Sequence, residues 1–124
     1  MDLKANTLTF WKTKTDEPRT IPITPPVREA LEFSRAQSNI TPFVIPEDSL
    51  RTHWDRCRGA LGYEDDRQYV MHMLRHTCAS RLVQAGVDLT RVKTWLGHKN
   101  IQTTLRYAHL APGDLDVAAA ALVG

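Results

Sequence analysis

Alternating polar and apolar side chains near the start of the chain predict a β-hairpin. The run Thr7–Lys12 alternates in this way and Arg19–Ile23 does so again, with a short polar connection between them. Two such runs joined by a few residues are typical of paired antiparallel strands. Pro22 should lie at an edge or at a strand end, because proline has no N–H to donate to the sheet.

From Pro25 onward the apolar positions follow a helical period, and the rest of the chain is predicted to be mostly α-helical. One helix is expected to run to about Gln37, a second to cover Glu47–Ala60, and a third to cover residues 71–85. Gly86 can close the third helix, because glycine readily adopts the left-handed conformation that ends many helices.

Three shorter helices should follow, each recognised by its capping residues or composition. Asp88 can cap a helix that Gly97 ends, Asn100 can cap the next, and residues 114–123 form an alanine-rich terminal helix. The predicted fold class is therefore α+β and mainly α, with an N-terminal β-hairpin followed by a helical bundle.

The helix capped by Asn100 presents an apolar face at positions i, i+4 and i+7. That face is formed by Ile101, Leu105 and Ala108. Tyr107 falls off this face and lines up with Thr103 and Thr104, on what should be a polar side. An aromatic residue on a polar face is a candidate reactive group, although a tyrosine near a helix end is more often a packed side chain.

Histidine and arginine side chains cluster upstream of this tyrosine. His72 and Arg75 are three residues apart and project from the same side of the predicted helix, and His76 lies near that face. His98 follows the glycine that ends the next helix, so a turn can aim its ring. Each feature taken singly is common on ordinary protein surfaces. The order and spacing of the whole set suggest a site that handles a phosphate.

Length and charge limit the possibilities without deciding among them. The 124 residues suffice for one domain, and we expect a single domain over 1–124. A net charge of +2 permits nucleic-acid binding without requiring it, and the basic runs at 51–58 and 91–99 can equally be solvated helix faces. Two distant cysteines, no long apolar run and no secretory leader predict a cytoplasmic protein with reduced thiols and no membrane association.

The histidine, arginine and tyrosine residues occur in a recurring order. That order is His72-Met-Leu-Arg75-His76, then Leu96-Gly-His98, then Thr103-Thr-Leu-Arg-Tyr107. The sequence thereby resembles the tyrosine recombinase (phage integrase) family, in the C-terminal part of its catalytic domain. The family pattern is His-x-x-Arg-His, Leu-Gly-His and Thr-x-x-x-Tyr. The stretch from Lys14 to Pro22 also resembles the family's hairpin with its catalytic lysine, for which Lys12 is the second choice.

The resemblance implies an enzyme that cuts and rejoins DNA strands through a 3′-phosphotyrosyl intermediate. Tyr107 would be the nucleophile, and Arg75 and His98 would hold the scissile phosphate. His72 would manage the proton of the phenol, and Lys14 would protonate the leaving 5′-oxygen. Because side chains supply the charge stabilisation, the resemblance implies no metal and no other cofactor.

The implied partner is double-stranded DNA, bound by a homotetramer of the full-length parent. The parent would be a bacterial or phage-encoded protein associated with the nucleoid in the cytoplasm. The candidate DNA-binding residues are Arg75, His76, Arg91, Lys93 and Lys99. In this family the terminal helix often packs against a neighbouring protomer, and packing within its own chain is an equally open interpretation. The DNA target cannot be read from the sequence.

Two features of the family have no counterpart in this sequence. The second active-site arginine of the family lies on a helix before the hairpin, and an N-terminal domain clasps the other side of the DNA. Because the sequence starts at the hairpin, we expect a truncated tyrosine-recombinase catalytic fold with weak or no recombination activity. Loss of one phosphate donor costs about 10²–10³ in rate.

Two other functions stay open at this point. The first is a non-catalytic DNA-binding remnant of a recombinase, in which the helices at 71–85 and 88–97 act as a helix-turn-helix with Gly86 in the turn. The second is a helical domain with no nucleic-acid role, which the small net charge permits.

Overall fold

The chain folds as a short β-hairpin followed by helices, in a computed structural model that describes residues 1–11, 18–37, 45–113 and 115–123. The elements are β1 (Thr7–Phe10), β2 (Arg19–Pro22), α1 (Pro25–Gln37), α2 (Glu47–Ala60), α3 (His72–Gln84), α4 (Leu89–Leu96), α5 (Ile101–Leu105), a 3₁₀ helix (Ala108–Leu110) and α6 (Leu115–Val123). This order confirms the predicted α+β, mainly α, class. The chain forms two compact units, Met1–Met71 and His72–Gly124. The single domain over 1–124 stays a prediction.

The predicted hairpin is confirmed. β1 and β2 pair antiparallel, with Thr7 opposite Pro22 at one end of the ladder, where proline is tolerated. Thr9 and Thr20 face each other and share a hydrogen bond of 2.9 Å between their hydroxyl oxygens. Residues 12–17 of the connection between the strands, which include Lys12 and Lys14, lie outside the described residues.

Polar contacts to the backbone organise the helices of the first unit. Arg28 on α1 donates from its guanidinium to the carbonyl of Leu3 at 2.9 Å, so it ties the helix to the N-terminal segment. Trp54 on α2 donates its indole N–H to the carbonyl of Tyr69 at 3.1 Å. The ring of Tyr69 stacks on that of Tyr63 with 4.0 Å between centroids. The loop after α2 is thus held against its own helix.

The second unit has a small apolar core formed by α3, α4 and the segment after α5. Its buried members are Ala79, Val83, Val92, Leu96 and Tyr107, with Cys78, Leu82, Val87, Leu89, Trp95 and Leu110 half-buried around them. Apolar residues at helical spacing on α3 and α4 supply the driving force, because burying their side chains removes apolar surface from water. This core is the platform on which the site residues stand.

The caps predicted at both ends of α4 and at the start of α5 are confirmed. Asp88 caps α4 by accepting hydrogen bonds from the N–H groups of Thr90 and Arg91, each at 3.0 Å. Gly97 ends α4 in the left-handed conformation, with φ of 68°. Asn100 caps α5 through a 3.0 Å bond from the N–H of Gln102.

Helix α6 is apolar and exposed. Its exposed apolar side chains are Leu115, Val117, Leu122 and Val123. Within the described ranges, no helix combines the length and the apolar character needed to cross a lipid bilayer.

Candidate active site

Helix α3 carries three of the predicted site residues. It begins at His72, so that residue, Arg75 and His76 occupy its first two turns. His72 is exposed, whereas Arg75 and His76 are half-buried. The following turns bury Ala79 and Val83 in the core, which holds the first turns on a rigid element.

Arg75 ties α3 to the end of α4. Its guanidinium donates a hydrogen bond to the backbone carbonyl of Leu96, the last residue of α4. Carbonyls in the last turn of a helix have no partner within the helix, and the helix dipole places partial negative charge there. A cation is therefore stabilising at this position, and the contact brings Arg75 next to the turn that contains His98.

Thr104, which the sequence analysis leaves without a role, holds His98. Nδ1 of His98 lies 2.8 Å from Oγ1 of Thr104. Thr104 is fully buried, where a hydroxyl without a hydrogen-bond partner would be costly. The left-handed turn at Gly97 and the bond to Thr104 together set the orientation of the His98 ring.

The prediction that Tyr107 lies on a polar face away from the core is wrong. Tyr107 is 7% exposed and belongs to the same buried cluster as Val92 and Leu96. Thr104, also predicted on the polar side, is fully buried, whereas Leu105, predicted to face inward, is 40% exposed.

The local helix geometry explains this error. α5 spans 5 residues, and the chain continues through backbone bonds of the i→i−3 type, from the Tyr107 N–H to the Thr104 carbonyl at 3.0 Å and from the Leu110 N–H to the Tyr107 carbonyl at 2.9 Å. Side chains three residues apart then eclipse one another. The inward face therefore follows a three-residue period. It consists of Ile101, Thr104, Tyr107 and Leu110.

The phenol hydroxyl of Tyr107 shares a hydrogen bond with Nδ1 of His76. The resemblance to the family assigns the phenol proton to His72, but the ring in contact with the hydroxyl is that of His76. His72 meets the His76 ring edge-on, with 5.0 Å between ring centroids. Burial lowers the pKa of His76, and the coulombic effects of His72, Arg106 and Arg75 lower it further, so the ring is neutral near pH 7.

A continuous path of contacts links these residues within the second unit. Arg75 reaches the end of α4, His98 binds the hydroxyl of Thr104, and the carbonyl of Thr104 accepts from the N–H of Tyr107. The Tyr107 hydroxyl in turn is hydrogen-bonded to His76 on α3. The path joins a phenol, a neutral imidazole and a guanidinium, which are groups that can attack a phosphate, accept a proton and hold phosphate oxygens.

The remaining predicted DNA contacts lie outside this path. Arg91 is exposed and pairs with Asp88, its Nε 3.1 Å from the carboxylate. Lys93 is half-buried on the same helix, and Lys99 is exposed in the turn before α5. Lys14 lies outside the described residues.

Comparison with known proteins leads to the family that the motifs resemble. Residues 1–113 match the phage integrase family, which is most of the chain. The chain belongs to the phage integrase family. Its membership covers both the hairpin and the segment that carries Arg75, His98 and Tyr107.

Two curated relatives of this family are the integrases of Haemophilus phage HP1 and Escherichia phage 186. The first is 33% identical over 112 residues and the second is 31% identical over 118 residues. Each match covers 90% of this chain and 31% of the relative, so the chain spans about a third of the length of these relatives. A solved structure titled as the catalytic domain of bacteriophage HP1 integrase is also similar, and the match covers 92% of this chain and 63% of the chain in that structure. Its TM-score is 0.54 at 27% identity.

Thr104, His76 and Arg106 make contacts in the site that the sequence pattern did not predict. Thr104 lies three residues before Tyr107, so a three-residue period would have pointed to it. The sequence predicts His76 only as a DNA-binding residue. Its position near the helix face of His72 and Arg75 is the feature from which its contact with the phenol could have been predicted. Arg106 places its guanidinium carbon 5.8 Å from the centroid of the Tyr107 ring.

Proposed function

We propose that this chain cuts and rejoins DNA strands in site-specific recombination, with Tyr107 as the nucleophile. The observation that carries the proposal is the hydrogen bond between the Tyr107 hydroxyl and His76. Packing alone requires a tyrosine to bury its ring. Here the hydroxyl is also joined to a neutral imidazole on the helix that carries Arg75. Attack of the phenol on a phosphodiester would give a 3′-phosphotyrosyl link, which conserves the bond for rejoining.

Arg75 and His98 are the proposed phosphate-binding groups. A guanidinium has five N–H donors in a planar fork, so a bond to the Leu96 carbonyl is compatible with two more to phosphate oxygens. Nδ1 of His98 is bonded to Thr104, which orients the ring that we assign to a phosphate oxygen. Both groups would stabilise the negative charge that develops in the transition state.

The leaving 5′-oxygen needs a proton, and Lys14 is the proposed donor. Without protonation an alkoxide would have to depart, and a positioned acid typically contributes about 10²–10⁴ in rate. The proposed scheme uses no metal and no other cofactor, because side chains supply each charge and each proton.

Double-stranded DNA is the proposed substrate, and Arg91, Lys93 and Lys99 are proposed to contact its backbone. Cations that neutralise phosphates release condensed counterions, so binding should weaken steeply as salt is added. The side chain of Arg91 is 83% exposed, and an exposed ion pair contributes little, so Arg91 can exchange Asp88 for a phosphate. Assembly as a homotetramer on DNA stays a prediction.

A non-catalytic DNA-binding role is the second candidate function, and the depth of Tyr107 favours it. The residue is 7% exposed, and Arg75 is engaged by the Leu96 carbonyl. A protein that only binds DNA would keep these contacts because they stabilise the second unit. This candidate predicts salt-dependent DNA binding that is unchanged when the Tyr107 hydroxyl is removed.

A test for a covalent protein–DNA link separates the two functions. A pool of nicked duplexes of randomised sequence, in which the cleaved strand diffuses away, traps an adduct without knowledge of the target. The proposed function predicts an SDS-resistant band that is absent in Tyr107→Phe and retained in Tyr63→Phe, the same change at an exposed tyrosine. Salt-dependent binding without any adduct would support the second candidate.

A further inference from the structure

His76 is the side chain that touches the reacting atom of the proposed nucleophile. Its Nδ1 shares a hydrogen bond with the Tyr107 hydroxyl, and the two ring centroids lie 6.0 Å apart at an interplanar angle of 45°. The imidazole is carried by α3, which Ala79 and Val83 anchor in the core. The contact therefore joins two groups that are each held by packed structure.

A phenol that attacks phosphorus must lose its proton, and the group that receives it must be a neutral base within hydrogen-bond reach. Burial, followed by the nearby positive charges, lowers the pKa of His76, which keeps the ring neutral near pH 7. The titratable and charged groups around the ring are His72 and Arg75 on its own helix and Arg106 and Tyr107 in the turn after α5. Arg106 also places its guanidinium carbon 5.8 Å from the centroid of the Tyr107 ring, close to where negative charge would develop.

We propose that His76 is a catalytic residue that accepts the proton of Tyr107 during strand cleavage and returns it during rejoining. This inference rests on the proposed function. As the phenol oxygen bonds to phosphorus, its proton moves to Nδ1 of His76, and the bond from phosphorus to the 5′-oxygen breaks. The departing oxygen takes a proton from a separate acid, for which Lys14 is proposed. Rejoining reverses both bonds and both proton transfers.

His72 then acts as a positioning residue rather than as the proton acceptor. Its ring contacts the edge of the His76 imidazole at a centroid distance of 5.0 Å, with an interplanar angle of 80°. This contact limits rotation of the His76 ring and so keeps Nδ1 directed at the phenol. The proximity of His72 also lowers the pKa of His76.

The test separates deprotonation of the nucleophile from protonation of the leaving group. The probe is a pool of duplexes with randomised ends, each ending in a 3′-p-nitrophenyl phosphate. Because p-nitrophenolate leaves without an acid, Lys14 drops out of the rate. The release of p-nitrophenolate and the yield of the SDS-resistant adduct are measured between about pH 6 and about pH 9.5. The proteins are the wild type, His76→Asn, His72→Asn and, as the matched control at an exposed histidine, His109→Asn.

Asparagine places a hydrogen-bonding atom near the position of Nδ1 but cannot accept the proton. His76→Asn should slow adduct formation by about 10²-fold near pH 7, and the deficit should shrink as the pH approaches the ordinary phenol pKa of about 10. His109→Asn should match the wild type. The proposal is overturned if His76→Asn matches the wild type, if its deficit is the same at every pH, or if the pH-dependent deficit appears in His72→Asn instead. These outcomes are compatible with Tyr107 as the nucleophile. If the wild type forms no adduct, the proposed function itself is contradicted.

A second measurement requires no turnover. An NMR titration of the His76 ring in the DNA-free chain reports its pKa directly, and Tyr107→Phe removes the hydrogen-bond partner of that ring. The pKa of His76 should therefore differ between the wild type and Tyr107→Phe. An unchanged titration would show that the two side chains are not engaged in solution, and it would overturn the proposal whether or not the duplex probe reacts.

Discussion

A hydrogen bond of 2.8 Å joins Nδ1 of His98 to Oγ1 of Thr104. The backbone carbonyl of Thr104 also accepts from the N–H of Tyr107 at 3.0 Å. One buried threonine therefore positions both a proposed phosphate donor and the proposed nucleophile.

Replacing Thr104 with valine should impair cleavage more than folding. Valine keeps the volume but removes the hydroxyl that orients His98, so adduct formation should fall about 10²-fold, as for the loss of one preorganised donor. Thr104→Ser restores the hydroxyl and should recover most of the rate. Adduct yield and thermal denaturation are measured together. If Thr104→Ser forms the adduct no faster than Thr104→Val, the defect is due to packing. If Thr104→Val forms the adduct as fast as the wild type, Thr104 does not position His98.

Leu96 should be essential to the stability of the second unit. It is 5% exposed in the core, so Leu96→Ala removes buried apolar surface and leaves a cavity. The free energy of unfolding should fall by about 2–5 kcal/mol in urea denaturation. Leu122→Ala on α6 is the matched control, because that side chain is 89% exposed and its loss should change stability by less than about 0.5 kcal/mol. Equal effects of the two changes would contradict the described core.

His76 should make the fold less stable in mild acid. Its pKa is lowered from the ordinary value of 6.5, so between that value and the lowered pKa the unfolded chain binds more protons than the folded chain. Its stabilising contribution is complete above about pH 6.5 and is lost as the pH falls through the lowered pKa. Urea denaturation at about pH 5.5 and about pH 7.5 should show a larger acid loss in the wild type than in His76→Asn. An identical pH dependence of the two proteins would contradict this prediction.

The ends of the helices could be predicted from the sequence because their causes are local. Asp88 and Gly97 cap the two ends of α4 as expected, and Asn100 caps the start of α5. A capping carboxylate bonds to N–H groups two or three residues away, and a left-handed glycine acts within one turn. Such signals need no knowledge of the rest of the fold.

The burial of Tyr107 could not be predicted in the same way. An α-helical period places it off the apolar face, but the backbone after Leu105 changes to i→i−3 hydrogen bonding, and the side chain turns into the core. That change depends on packing against α3 and α4. The order of the motifs identified Arg75 and His98, whereas the pairing of the phenol with His76 required the tertiary structure.

Peptide mapping of the covalent adduct tests the central claim most directly. DNA from the randomised nicked pool is digested with nuclease after SDS treatment, which leaves a nucleotide mark on the residue that attacked. The mark is expected on the peptide that contains Tyr107, with none on the peptides of Tyr63 and Tyr69 and none anywhere in Tyr107→Phe. A mark on another residue, or DNA bound tightly with no mark at all, would contradict the assignment of Tyr107 as the nucleophile.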